Sequence, residues 1–218
     1  NISHELRTPL QSIIGFSELG ATRAKDQPRW QEMFRDIHDG GMRMLHLVNA
    51  LLDLSKAGDM SASLSLKRLD LSLVAASVLK ELWPLAEQRG VRFELGLAQG
   101  TVFGRVDEFR FQQVLRNLLA NALRFAPPGS AIELHGQDLG ADGVALQVRD
   151  HGPGIPPTEL ESIFNPFVQS SRTRDGSGGT GLGLTICRKI VDAHGGRVHA
   201  VNADDGGAVM VIQLPPPG

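Results

Sequence analysis

The chain has 218 residues, 41% hydrophobic and 21% charged, the balance of a protein that folds around its own core. A net charge of −2 supplies no broad basic field, so nucleic acid is not an expected partner. A single cysteine, Cys187, excludes an internal disulfide framework, and no apolar run reaches the ~18 residues that would cross a bilayer.

The chain opens at Asn1 inside a helical pattern, as expected of a fragment of a longer protein. Ile2, Leu6, Leu10, Ile13 and Phe16 recur on one face and predict a first amphipathic helix. The pattern breaks at "RAKDQPRW", where Pro28 suits the start of a second helix. That helix carries Met33, Ile37, Met44, Leu47, Leu51 and Leu54 on one face, with Gly40 and Gly41 weakening its middle. Residues 1–57 therefore read as a helical hairpin with a wide apolar stripe. Pairing with a second copy into a four-helix bundle would bury that stripe, so a homodimer is expected. The small, polar stretch "SKAGDMSASLSL" marks a linker, placed at residues 58–66.

Residues 67–218 change character. "LDLSLVAASVLKELWPLAEQRG" predicts a helix ended by Gly90, and "VRFELGL" and "TVFGRV" predict strands. "DEFRFQQVLRNLLANALRFA" predicts a helix capped by Asp107 and stopped by Pro127. "AIELHGQ" and "VALQVRD" follow as strands, then a helix through "LGLTICRKIVDAHGG", then a hairpin of "RVHAVNA" and "AVMVIQLP" around "DDGG". The fold class is α+β, with helices on one face of a mixed sheet.

Two glycine clusters suggest a phosphate site. "DHGPGI" turns into glycine straight after a strand, and "GGTGLGL" runs directly into a helix. Backbone N–H groups at such a helix start attract anions, and Gly179, Gly181 and Gly183 are the candidates. The spacing matches neither a P-loop nor a dinucleotide fingerprint. Taken singly, each cluster is equally well read as a set of turns. Asn117 and Asn121, four residues apart on one helix face with Arg124 nearby, add an amide oxygen suited to Mg²⁺ and a guanidinium suited to phosphate.

"QVLRNLLANALRF", "VRDHGPGIP", "IFNPF" and "GGTGLGLTICRKIVDAHGG" resemble the N, G1, F and G2 boxes of sensor histidine kinases, in order. "NISHELRTPLQSIIGFSE" resembles their dimerisation and phosphoacceptor helix, and "LLDLSK" the end of its partner. The resemblance covers nearly the whole chain. It implies a catalytic part, residues 67–218, with the Bergerat ATP-binding fold, an α/β sandwich. Asp150 would accept a hydrogen bond from the adenine amino group, with Gly152 and Gly154 shaping the adenine side. Asn121 would ligate Mg²⁺, with Asn117 and Arg124 near the phosphates. Gly179, Thr180, Gly181, Leu182 and Gly183 would line the ATP site. "VQSSRTRDGSG" would form a lid, with Phe164 and Phe167 at its base or in the core. His151, where relatives carry a small or Asn-like residue, is expected near nucleotide or water.

The opening stretch then acquires a purpose. His4 lies two residues from both Ile2 and Leu6, about 200° round the helix from each and away from the apolar stripe. A neutral imidazole is a competent nucleophile near neutral pH. The resemblance names His4 as phosphoacceptor, Glu5 as general base and Thr8 as the position linked to dephosphorylating the partner regulator. Pro9 has no N–H for the Glu5 carbonyl, so a bend is expected there. The resemblance also implies a response-regulator receiver domain as phosphoryl acceptor and an upstream sensor module on the parent chain. This portion would be cytoplasmic, in a parent either membrane-anchored or soluble. Two alternatives fit less well: an ATPase of the chaperone or topoisomerase type would need a catalytic Glu near Asn117, and Glu108 lies nine residues too early, while His4, Asn121, Asp150 and the glycines speak against a nucleotide-sensing scaffold that dimerises without catalysis.

Overall fold

The computed structural model describes residues 2–56, 64–97, 102–173 and 180–217. Helices α1 (Ile2–Arg23) and α2 (Pro28–Lys56) form the hairpin. Helix α1 continues through Pro9, so the expected bend does not interrupt it, and α2 continues through Gly40 and Gly41. Gly41 does more than weaken a helix: a Cβ there would meet Ile14 Cγ1 at 2.9 Å, so the bare backbone is what lets α1 approach. Of the expected stripe, Leu10 is buried, while Leu6, Ile13, Phe16, Met33, Ile37, Met44 and Leu51 remain exposed. Among the described residues no helix is long and apolar enough to cross a membrane.

Beyond the linker, most of which lies outside the described residues, comes an element the sequence reading did not separate. Strand β1 (Lys67–Asp70) pairs antiparallel with β3 (Phe103–Val106), so residues 69 and 70 are strand where the sequence pattern predicts the start of a helix. "KRLD" is short and charged, and its partner lies far along the chain, so no local pattern announces it. The Arg68 guanidinium sits 4.1 Å from the Phe103 ring centroid across this pair. Asp70 then accepts from the Ser72 N–H and caps α3 (Leu71–Arg89), which ends at Gly90 with φ 64°.

A five-stranded sheet has the order β2 (Arg92–Leu97), β4 (Ala131–Asp138), β5 (Val144–Arg149), β7 (Ala208–Leu214), β6 (Arg197–Asn202). β2 and β4 are parallel and the other pairs antiparallel, the mixed sheet expected. Register aligns Leu134 with Val148, Val148 with Met210 and Met210 with Ala200, so one face is apolar. That face packs against α3, α4 (Glu108–Phe125) and α5 (Gly183–Ala193), through Val78, Leu115, Leu119, Ile190 and their neighbours. Asp107 caps α4 as expected, accepting from the Arg110 N–H at 3.1 Å. His194 fastens this end: its Nε2 accepts the Asp107 N–H at 3.0 Å, and Nδ1 lies 2.7 Å from the Ile190 carbonyl. The helices that bear the candidate site are thus tied together at the end away from it.

Candidate functional site

A cavity of about 600 Å³ opens between α4, the start of α5 and the β5 end of the sheet. Asn117, Asn121 and Arg124 line it from α4, Asp150 and Gly154 from the turn after β5, and Thr180, Gly181 and Gly183 from the entry to α5. The four-residue spacing of the asparagines brings both amides to one wall. The Asn117 amide donates to the Gly183 carbonyl at 3.3 Å and so links α4 to the α5 entry. Helix α5 starts at Gly183, and Leu182 before it provides no side-chain cap, which leaves the first N–H groups available to an anion.

Gly181 takes φ 68°, and a Cβ there would stand 2.7 Å from the Phe167 carbonyl carbon. The Phe167 N–H donates to the Gly181 carbonyl at 3.0 Å. Only glycine suits that conformation and that contact. Phe167 itself is 61% exposed, so core packing does not explain it; its backbone, with φ 64°, is what meets the glycine loop. Phe164 is buried, with the Arg188 guanidinium 4.3 Å from its ring centroid.

Asp150 is only 8% exposed. Its Oδ1 accepts from the Gly152 N–H at 2.7 Å and lies 3.4 Å from the Ala208 N–H. Burial pushes its carboxyl above the usual value, against the downward pull of those N–H groups. Gly152 and Leu182 stand outside the cavity lining. A Cβ on Gly152 would meet Asp150 Oδ1 at 2.8 Å and the Phe125 carbonyl at 2.9 Å, so it supports Asp150 from behind. The Leu182 side chain is fully buried, and its N–H donates to Thr180 Oγ1 at 3.3 Å.

Gly179 lies outside the described residues, as do the side chains of His4 and Glu5 on α1; Thr8 sits one turn beyond His4 on the same helix. His151 does not line the cavity. Its Nε2 lies 3.0 Å from Glu133 Oε1, on the open face of the sheet, where His135 takes the other Glu133 oxygen. A carboxylate neighbour holds this imidazole away from the cavity.

Two residues escaped the sequence reading because they come from the hairpin: Met42 and Asn49 of α2 line the same cavity. Asn49 Oδ1 accepts from Arg7 Nη2 at 3.0 Å, which ties it to the helix that carries His4. Helical periodicity cannot report packing between distant segments, so no local signal marked them. Among the described residues no group of three or more His, Cys, Asp or Glu could hold a metal ion. An amide oxygen from Asn121 fits an ion that completes its shell with water and phosphate oxygens.

Residues 106–218 match the family described as histidine kinase-, DNA gyrase B-, and HSP90-like ATPase, and residues 1–59 match the His Kinase A (phospho-acceptor) domain. The chain is 34% identical over 217 residues to the sensor histidine kinase TmoS of Ectopseudomonas mendocina, covering 98% of this chain and 22% of that protein. It is 35% identical over 220 residues to the circadian input-output histidine kinase CikA of Synechococcus elongatus, covering 98% and 29%. The chain thus spans less than a third of these relatives' length. Among solved structures, full-length ShkA in complex with AMPPNP is similar with a TM-score of 0.80 and 28% identity, over 98% of this chain and 44% of that one. The histidine kinase AdeS of Acinetobacter baumannii is similar at 0.69 and 25%, over 99% and 98%.

Proposed function

Because the chain belongs to the histidine kinase-, DNA gyrase B-, and HSP90-like ATPase family, preceded by a phospho-acceptor domain, we propose that it catalyses autophosphorylation of His4 by ATP. In the proposed reaction the other ring nitrogen of His4 gives its proton to Glu5 while the first nitrogen attacks the γ-phosphorus; ADP leaves as the phosphoramidate forms. Asp150 selects adenine: it accepts from the adenine amino group and would face an oxygen in guanine. The α5 entry, from Gly179 to Gly183, offers N–H groups to the phosphates, and Asn117 and Arg124 neutralise and orient them. Mg²⁺, held by Asn121, would supply charge neutralisation on the phosphate oxygens. Residues 1–57 act as the dimerising phosphotransfer hairpin, residues 58–66 as linker and residues 67–218 as the ATP domain. A receiver domain of a response regulator takes the phosphoryl group onward, and Thr8 serves its later removal.

The observation that carries this reading is the shared cavity. Met42 and Asn49 of the hairpin stand on the same cavity as Asn121, Asp150 and Gly181. A detached ATPase or a passive nucleotide scaffold has no need of a wall from a phospho-acceptor hairpin. Incubation with γ-labelled ATP tests it: acid-labile, base-stable label is expected on the chain and none on His4→Gln. ATP binding without label would support the scaffold.

A further inference from the structure

The turn that carries Asp150 is held at both ends by one cross-strand pair. At its entry the Asp150 N–H donates to the Ala208 carbonyl at 2.9 Å. At its exit Asn202 holds Ile155 by both backbone groups: the Ile155 N–H donates to Asn202 Oδ1 at 2.8 Å, and Asn202 Nδ2 donates to the Ile155 carbonyl at 2.6 Å. Asn202 and Ala208 face each other in the β6–β7 register. Two adjacent positions of one hairpin therefore bracket residues 150–155. Ile155 has left the sheet, yet a side-chain amide, with one acceptor and one donor side by side, gives it what a strand edge would have given.

Asn202 closes β6 with an exposed side chain, and it does not line the cavity, whereas Asp150, Gly154 and Ile155 do. Its contribution is the pair of hydrogen bonds. Those bonds set where Ile155, an apolar wall of the cavity, stands relative to the Asp150 carboxylate. A flat base needs both at once, one at its edge and one against its face.

We propose that Asn202 is a positioning residue for base recognition, acting through the Ile155 backbone to hold the turn in the shape that admits adenine. This rests on the reading of Asp150 as the adenine acceptor. Loss of Asn202 weakens the base end of the site and leaves the phosphate end, built on α4 and α5, as it was.

The test uses the whole chain with Asn202→Ala and Asn202→Asp, titrated with Mg·ATP and with Mg²⁺ plus inorganic tripolyphosphate, a probe that has no base. Asn202→Ala is expected to weaken ATP about tenfold and leave tripolyphosphate unchanged. Asn202→Asp keeps the acceptor for the Ile155 N–H but has no donor for its carbonyl, and is expected to weaken ATP as well. In labelling assays the alanine variant should raise KM for ATP and keep kcat within about twofold. Unchanged ATP affinity in the alanine variant, or equal loss for ATP and tripolyphosphate, would overturn the inference. Wild-type chain that binds no ATP would overturn the reading of the site and this inference with it; wild-type binding with an unaffected alanine variant removes Asn202 alone.

Discussion

Asp150→Asn should strengthen the empty protein and disable it. The change keeps Oδ1, so the acceptor for the Gly152 and Ala208 N–H groups survives. It replaces the other oxygen with an amide donor, which would confront the adenine amino group donor to donor. A hydrogen bond to a charged acceptor contributes about 1.5–3 kcal/mol, so ATP affinity should fall about 10- to 150-fold. Stability moves the other way. Burial raises the Asp150 carboxyl above its unfolded value, so the favourable contribution of this group belongs to its protonated form and is lost as pH rises through the folded value. Near neutrality the buried charge is a cost, and asparagine removes it. Calorimetric titration with Mg·ATP and thermal melting without nucleotide read the two effects on one sample. The melting advantage of the variant should shrink as pH falls into the carboxylate range. A variant that melts lower than wild type at neutral pH, or that binds ATP undiminished, would refute this account of Asp150.

Gly181→Ala places a left-handed alanine against the Phe167 backbone; the conformation alone costs about 1–2 kcal/mol and the overlap adds to it, so ATP should bind at least ~10-fold more weakly by the same titration. Burial pushes the Cys187 thiol up to about 12, so a thiol reagent should leave the native chain unmodified and react only on unfolding. Phe16, 73% exposed on the hairpin, should belong to the proposed dimer interface; light scattering should find Phe16→Glu monomeric where wild type is dimeric, and an unchanged mass would remove Phe16 from that interface.

Elements whose signals are local were legible in the sequence. The Asp107 cap, the Gly90 stop and the β6–β7 hairpin each follow from residues within a few positions of one another. The i, i+4 asparagines could be placed on one wall for the same reason. What escaped depends on partners distant in the chain. Strand β1 exists because β3 is there to pair with it. His151 turns away from the cavity because Glu133, on a neighbouring strand, offers it a carboxylate oxygen. Leu10 carries the same apolar pattern as Ile13, yet it is buried and Ile13 is exposed. Periodicity names a stripe and does not say which of its members the neighbouring helix covers. Asn49 and Asn202 matter through contacts made across the fold, to Arg7 and to Ile155, and neither sits in a stretch whose spacing marks it.

The central claim is transfer of a phosphoryl group to one imidazole on α1. Peptide mapping by mass spectrometry under alkaline conditions, after the dimeric chain has met Mg·ATP, reads it directly. Phosphate should be found on the peptide containing His4, and it should disappear with Asp150→Asn at limiting ATP. Phosphate on another residue, or ATP turnover with an unmodified His4 peptide throughout, would contradict the account.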